Sequence, residues 1–354
     1  MLYQTENQHG GDVYGGGITL DFSANTNPLG TPPGVLEAVC RALPRLHRYP
    51  DPYCRRLVQA IAGHEQVPAS YILCGNGAAD LIYTYCAALR PRTAVELAPT
   101  FVEYGAGLAQ VGCRVERYFL HQAQNFDLDE RFLSFLEEKK PEVVFLCNPN
   151  NPTGRLIPLP LLEQILQYCA AQGARLFLDE CFLDLTEDGV SAKSLLAAHP
   201  ELLILKAFTK SYGMAGIRLG YCLCADSALL RRMASASQPW NVSSLAQSAG
   251  VAALAERDFL QRTLSLVRTE RRWLTDNLTA LGFWVCPSHA NYLLFRGPLG
   301  LREGLLQQGI AIRGCGNYNG LGDGWYRIAV RPHGENEALI TAIRQFCKEK
   351  SLWQ

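Results

Sequence analysis

The sequence carries no net charge, since 33 Lys and Arg balance 33 Asp and Glu over 354 residues. Without a basic field, a chain has no means of sequence-independent binding to nucleic acid or to an anionic surface. A local cluster around a small anion stays open. There is no apolar run of membrane-spanning length, so no membrane association is expected. The opening residues lack the basic and apolar regions of a secretory leader, so a cytoplasmic location is expected. Cysteine is not scarce, but the 13 cysteines form no Cys-x-x-Cys pair and no histidine stands at ligand spacing. No metal site and no disulfide framework is expected. Cys147, Cys222 and Cys224 lie in apolar strand-like runs, where cysteine acts as a small core residue of a reducing compartment. Internal repeats and low-complexity tracts are also missing.

What is present suffices for buried cores: 48% of residues are hydrophobic and 19% charged. The length predicts two domains or one large elaborated one. From about residue 70 to 225, short apolar runs alternate with helical patterns. Residues 142–147, 174–178, 202–207 and 220–224 read as buried strands, and 159–172 as a helix between the first two. This rhythm predicts right-handed crossovers and a mostly parallel sheet sandwiched by helices, an α/β fold. Ligands of such sheets bind beyond the carboxyl ends of the strands. After about residue 235 the pattern changes. One or two long helices over 245–281 precede strands at 283–285, 291–295 and 326–330 and a closing helix over 335–348. We expect a large domain over 36–240 and a smaller α+β domain built from 241–354 with the N-terminal segment 1–35 packed on it.

The chemistry-bearing residues cluster after predicted strands. Ala207 to Tyr221 reads A-F-T-K-S-Y-G-M-A-G-I-R-L-G-Y. Lys210 stands beside the hydroxyl of Thr209, Arg218 follows eight positions later, and three glycines crowd the segment. An amine, a hydroxyl and a guanidinium so spaced suit a flat phosphorylated cofactor: the amine bonds to it and the other two hold its phosphate. Gly75-Asn76-Gly77-Ala78-Ala79-Asp80 opens a helical run with small residues, leaving backbone N–H groups for a phosphate. It is neither a dinucleotide fingerprint nor a Walker loop. The loop N-P-N-N-P-T-G, 148–154, places the Asn151 amide at the sheet rim. Asp179 ends a buried strand, where a carboxylate needs a cationic or hydrogen-bonding partner such as a protonated pyridine. Phe101 is placed to stack on such a ring.

Together these motifs resemble the fold-type I enzymes dependent on pyridoxal 5′-phosphate, in particular class I/II aminotransferases of the histidinol-phosphate aminotransferase kind. The resemblance covers essentially the whole chain, with five separated motifs in order. It implies that Lys210 bonds covalently to the cofactor and later moves protons, and that Asp179 keeps the pyridine nitrogen protonated. It implies that Asn151 bonds the ring 3′-oxygen, and that Ala78, Ala79, Thr209 and Arg218 hold the phosphate. Tyr49, in R-Y-P-D-P, would reach the neighbouring subunit's phosphate, which implies a homodimer with shared active sites. One position departs: Phe182 stands where these aminotransferases usually carry tyrosine.

A narrower resemblance is to the L-threonine-O-3-phosphate decarboxylases of cobalamin side-chain synthesis. It rests on H-G-G-D at 9–12, L-D-F-S-A-N-T-N-P-L-G at 20–30, A-N-Y-L-L at 290–294 and Y-R-I-A-V-R-P-H-G-E-N-E-A-L at 326–339. Phe182 fits it too. It implies that His9, Gly10, Asn25, Asn151, Arg313 and Arg327 hold a phosphorylated amino acid, whose carboxylate and phosphate each need fixed donors. Decarboxylation and transamination differ by one bond rotation: the bond perpendicular to the cofactor ring is the one that breaks. The alternatives are therefore an aminotransferase, a serine-phosphate decarboxylase, or a ligand-binding relative without activity.

Overall fold

In a computed structural model describing residues 9–350, the chain enters through a two-residue strand, β1 (Leu20–Asp21). Seven strands then build the large sheet. They are β2 (Ile72–Gly75), β3 (Thr93–Ala98), β4 (Arg114–Phe119), β5 (Val143–Cys147), β6 (Arg175–Asp179), β7 (Leu202–Ala207) and β8 (Gly220–Cys224). Their order is β2-β8-β7-β6-β5-β3-β4. From β4 to β7 neighbours run parallel, and β8 runs antiparallel to both β2 and β7. The expected mostly parallel sheet is thus observed.

The uninterrupted apolar runs have a direct physical cause. Helices cover both faces, so every residue of β5, β7 and β8 is buried. The two-residue period still sorts them. Val144, Leu146 and Ile204 join one apolar cluster, while Phe145, Cys147 and Leu203 join the other. Cys147, Cys222 and Cys224 are buried free thiols. The strands β3 and β4 went unnamed in the sequence reading because charges interrupt them. Glu96 of β3 is buried and meets Arg117 of β4 at 2.8 Å, so a pair across neighbouring strands replaces apolar contact.

The remainder is a second, antiparallel assembly. β9 (Trp284–Val285), β10 (Tyr292–Arg296), β11 (Ile310–Ala311), β12 (Arg313–Gly314) and β13 (Trp325–Ala329) contribute a four-stranded sheet ordered β12-β13-β10-β9 and a parallel β1–β11 pair. Phe22 drives the N-terminal segment into this unit's core beside Leu274, Leu278 and Phe346. The 245–281 pattern resolves into two helices, Ser244–Ala253 and Phe259–Ala280. Ala246, Ala249 and Ala253 of the first pack into the large core with Val35 and Leu57. That helix approaches so closely that a Cβ on Gly250 would lie 2.5 Å from Leu219, which explains the glycine.

Candidate functional site

The carboxyl ends of β5, β6 and β7 deliver Asn151, Asp179 and Lys210 to one rim, as strand direction requires. Beyond them lies a cavity of about 230 Å³. Its wall contains Lys210, Asp179, Asn151, Thr209, Arg218, Ala78, Ala79 and Phe101 from the large unit. His9, Gly10, Asn25, Arg313 and Arg327 come from the other unit and the N-terminal segment. Tyr49 alone among the expected residues does not line it. Its ring is 78% exposed and stacks on Trp240 at 4.4 Å.

Asp179 is buried and accepts from the Cys181 amide at 2.9 Å and from the Tyr104 phenol at 2.6 Å. Burial pushes its carboxyl up, and these two donors and the Lys210 amine pull it back. Tyr104 was not singled out in the sequence, although it lies only three residues after Phe101. A helix-spaced tyrosine carries no sign that it meets a strand 75 residues away.

Lys210 occupies a single helical turn, Phe208–Ser211, directly after β7. Enclosure by protein lowers its amine to about 8, and the Arg327 and Arg218 charges push the same way. The Phe182 ring, where a hydroxyl is common in the aminotransferases, lies 5.4 Å from Nζ and packs edge-on against Tyr292 at 5.0 Å.

One end of the cavity is a cradle. The helix Ala78–Leu89 starts there, preceded by Gly77 at φ 88°, a conformation that favours glycine. A Cβ on Gly77 would lie 2.8 Å from the Arg218 guanidinium, and one on Gly220 would lie 2.9 Å from the Ala78 nitrogen. The glycines therefore keep free the space between the helix start and Arg218.

The opposite end carries Arg327 of β13. Its Nη1 donates to Asn151 Oδ1 at 2.5 Å and its Nη2 to the Ser23 carbonyl at 2.9 Å. Its Nε, together with both side-chain polar atoms of the buried Asn25, has no hydrogen-bond partner among the described residues. Unsatisfied polar atoms on a cavity wall are a ligand's natural partners, because leaving them bare costs about 1–3 kcal/mol each. Arg313 lies 5.3 Å from the Tyr318 ring on the same wall. Ser23 is a second residue absent from the sequence reading. It was visible only as part of D-F-S-A-N, because its role is a backbone carbonyl, which no residue type reveals.

The class I and II aminotransferase family model matches residues 18–346. The chain belongs to that family. Within it, the chain is 41% identical over 331 residues to threonine-phosphate decarboxylase of Salmonella typhimurium, covering 92% of this chain and 90% of that protein. Among solved structures, histidinol-phosphate aminotransferase of Clostridium acetobutylicum superimposes with a TM-score of 0.87 at 28% identity, covering 93% of this chain and 99% of that one. L-threonine-O-3-phosphate decarboxylase of Porphyromonas gingivalis gives 0.82 at 25% identity, covering 93% and 99%. Family membership accounts for the α/β architecture and for the site's place at the strand ends. Among the described residues, no helix is long and apolar enough to cross a membrane.

Proposed function

We propose that the protein removes carbon dioxide from L-threonine O-3-phosphate to give (R)-1-aminopropan-2-ol O-2-phosphate, a step of cobalamin synthesis, using pyridoxal 5′-phosphate. The observation that carries this reading is one cavity whose wall brings Lys210 and Asp179 together with Arg327, Arg313 and His9. A substrate with two anionic ends finds two cationic anchors there. The 41% identity to the Salmonella decarboxylase supports the same choice.

The residues fit the cofactor. Asp179 would pair with the pyridine nitrogen, and the Ala78 and Ala79 amides with Thr209 and Arg218 would hold the phosphate. The Asn151 carboxamide turns its oxygen to Arg327, so its nitrogen would serve the ring oxygen. Phe101 would cover the ring. When bound, the cofactor supplies an electron sink for the pair left by a broken Cα bond. Arg327 would grip the substrate carboxylate and so set which Cα bond is cleaved. Lys210 would return a proton to Cα in place of the carbon dioxide lost. Arg313 and His9, with the Gly10 backbone and Asn25, would hold the phosphate end.

An exposed Tyr49 braced on Trp240 supports a homodimer in which Tyr49 enters the partner's site. The separate core around Phe22, Leu274 and Phe346 supports a smaller domain beside the large one over 36–240, but the expected bounds 1–35 and 241–354 are too wide, because Val35 and the helix Ser244–Ala253 pack into the large core.

Purified holoenzyme given O-phospho-L-threonine is expected to release carbon dioxide and the phosphorylated amine in equal amounts by mass spectrometry. A keto acid without carbon dioxide would instead establish the aminotransferase reading, which the TM-score of 0.87 to the Clostridium enzyme favours. The enclosed amine makes a second expectation. Lys210 reacts only when neutral, and its amine loses its proton at about 8. Recapture of pyridoxal phosphate by apoprotein should therefore accelerate about tenfold per pH unit below 8 and level off above it. Stopped-flow absorbance checks this; acceleration continuing to pH 10 would mean that Lys210 has an ordinary lysine pKa.

A further inference from the structure

One residue of the cavity wall, His9, is held from outside that wall by an acid. Glu103, the first residue of the helix Glu103–Gln110, points Oε1 at His9 Nε2, 2.7 Å away. Its other oxygen accepts from the Tyr83 phenol at 2.7 Å. Tyr83 belongs to the helix Ala78–Leu89, whose start forms the cradle. The Glu103 side chain is largely buried, whereas His9 is the more exposed partner. The His9 bond, with Tyr83 assisting against burial, holds the carboxyl of Glu103 below the usual range, so it is ionised at neutral pH and His9 Nε2 is the donor.

Such a carboxylate is unfavourable near a phosphate dianion unless a hydrogen-bond donor stands between them. The N-terminal segment shows how His9 is presented. The Gly11 amide donates to Ser23 Oγ at 2.8 Å, and Asp21 holds that serine through both its amide and its hydroxyl. Gly10 lies so tightly on Ser23 that a Cβ would come within 2.1 Å of the Ser23 carbonyl, the same oxygen that Arg327 holds. The backbone is therefore seated against Arg327, and the imidazole is fixed at its far edge by Glu103.

We infer that Glu103 is a positioning residue for phosphate recognition: braced by Tyr83, it grips His9 through Nε2 and holds the imidazole in place on the cavity wall for the substrate phosphate. The inference rests on the reading that a phosphorylated amino acid occupies this cavity. Glu103 touches neither substrate nor cofactor and acts only through His9.

The test uses holoenzyme carrying Glu103→Ala, Glu103→Gln, His9→Ala and the Glu103→Ala/His9→Ala pair. Losing a charge-assisted hydrogen bond should raise KM for O-phospho-L-threonine about tenfold with kcat changed less than about threefold. Glu103→Gln keeps an acceptor oxygen and should recover part of the loss. The double variant should match His9→Ala alone, because one contact cannot be lost twice. Effects that add overturn the inference, as does an unchanged KM in Glu103→Ala. Calorimetric binding of inorganic phosphate to the holoenzyme is the second readout: it should weaken about tenfold in Glu103→Ala. It remains decisive if the wild type releases no carbon dioxide. In that case the decarboxylase reading fails by itself, while unchanged phosphate affinity in Glu103→Ala would overturn the role of Glu103.

Discussion

Lys210→Ala is expected to lower turnover of O-phospho-L-threonine by about 10⁴-fold, equivalent to about 5.5 kcal/mol of barrier. Two duties end together in this variant, covalent attachment of the cofactor and return of a proton to Cα. Borohydride reduction followed by peptide mass spectrometry should place the cofactor on the peptide containing residue 210 in the wild type. The variant should show no attachment. The control lies four residues away, since Lys206 also sits in L-K-A-F-T-K-S. Lys206 Nζ meets Asp184 at 2.7 Å and Glu65 at 3.3 Å. Burial opposes its charge, but Asp184, Glu65 and Glu180 outweigh burial and raise its pKa, so it stays an unreactive cation. Cofactor found on Lys206 would sink the assignment of Lys210.

Lys206 itself carries the second large expectation, on stability. Lys206→Ala should cost about 3–5 kcal/mol in urea unfolding, because it strips a cation from buried carboxylates. Glu65 shows the stakes. Its side chain is almost fully enclosed, and Lys193 at 2.9 Å and the Tyr221 hydroxyl join Lys206 around it. Burial pushes Glu65 up, yet these partners together hold it at about 2. A depressed carboxylate contributes stability above its unfolded value near 4.5 and loses it as pH falls toward 2. The shift corresponds to about 3 kcal/mol. Without Lys206, Glu65 titrates higher, so acid unfolding should begin at a higher pH than in the wild type. A stability change under about 1 kcal/mol with an unmoved acid transition would show that the cluster is solvated. The cluster also reaches the site: Asp184 accepts from Ser211 at 2.8 Å, next to Lys210, so the variant should lose activity as well as stability.

Much of the fold was legible because its strands are buried on both faces. Leu202–Ala207 and Gly220–Cys224 read as unbroken apolar runs and form strands over those residues. The strands β3 and β4 escaped because Glu96 and Arg117 interrupt their apolar runs and pair with each other across the sheet. A compensation between neighbouring strands leaves no trace in either strand alone. Much of the candidate site was legible for a different reason. Turn glycines, a proline-bounded asparagine loop and a lysine with a hydroxyl beside it are local requirements of a phosphate cradle, so each is written in a few consecutive residues. Tyr104, Ser23 and Glu103 were not legible, since each acts on a residue far along the chain through one oxygen.

By itself, then, the sequence determined the parallel α/β architecture, the order of the motifs at the strand ends, and the amines available for chemistry. Which amine is reactive was decided by tertiary structure. Lys206 and Lys210 are the same side chain four residues apart. The fold surrounds one with Glu65, Asp184 and Glu180 and encloses the other near Arg327 and Arg218, so one is held charged and the other is brought close to neutrality. Side-chain chemistry is a property of residue type, but proton affinity belongs to the surroundings, and only the folded chain supplies them.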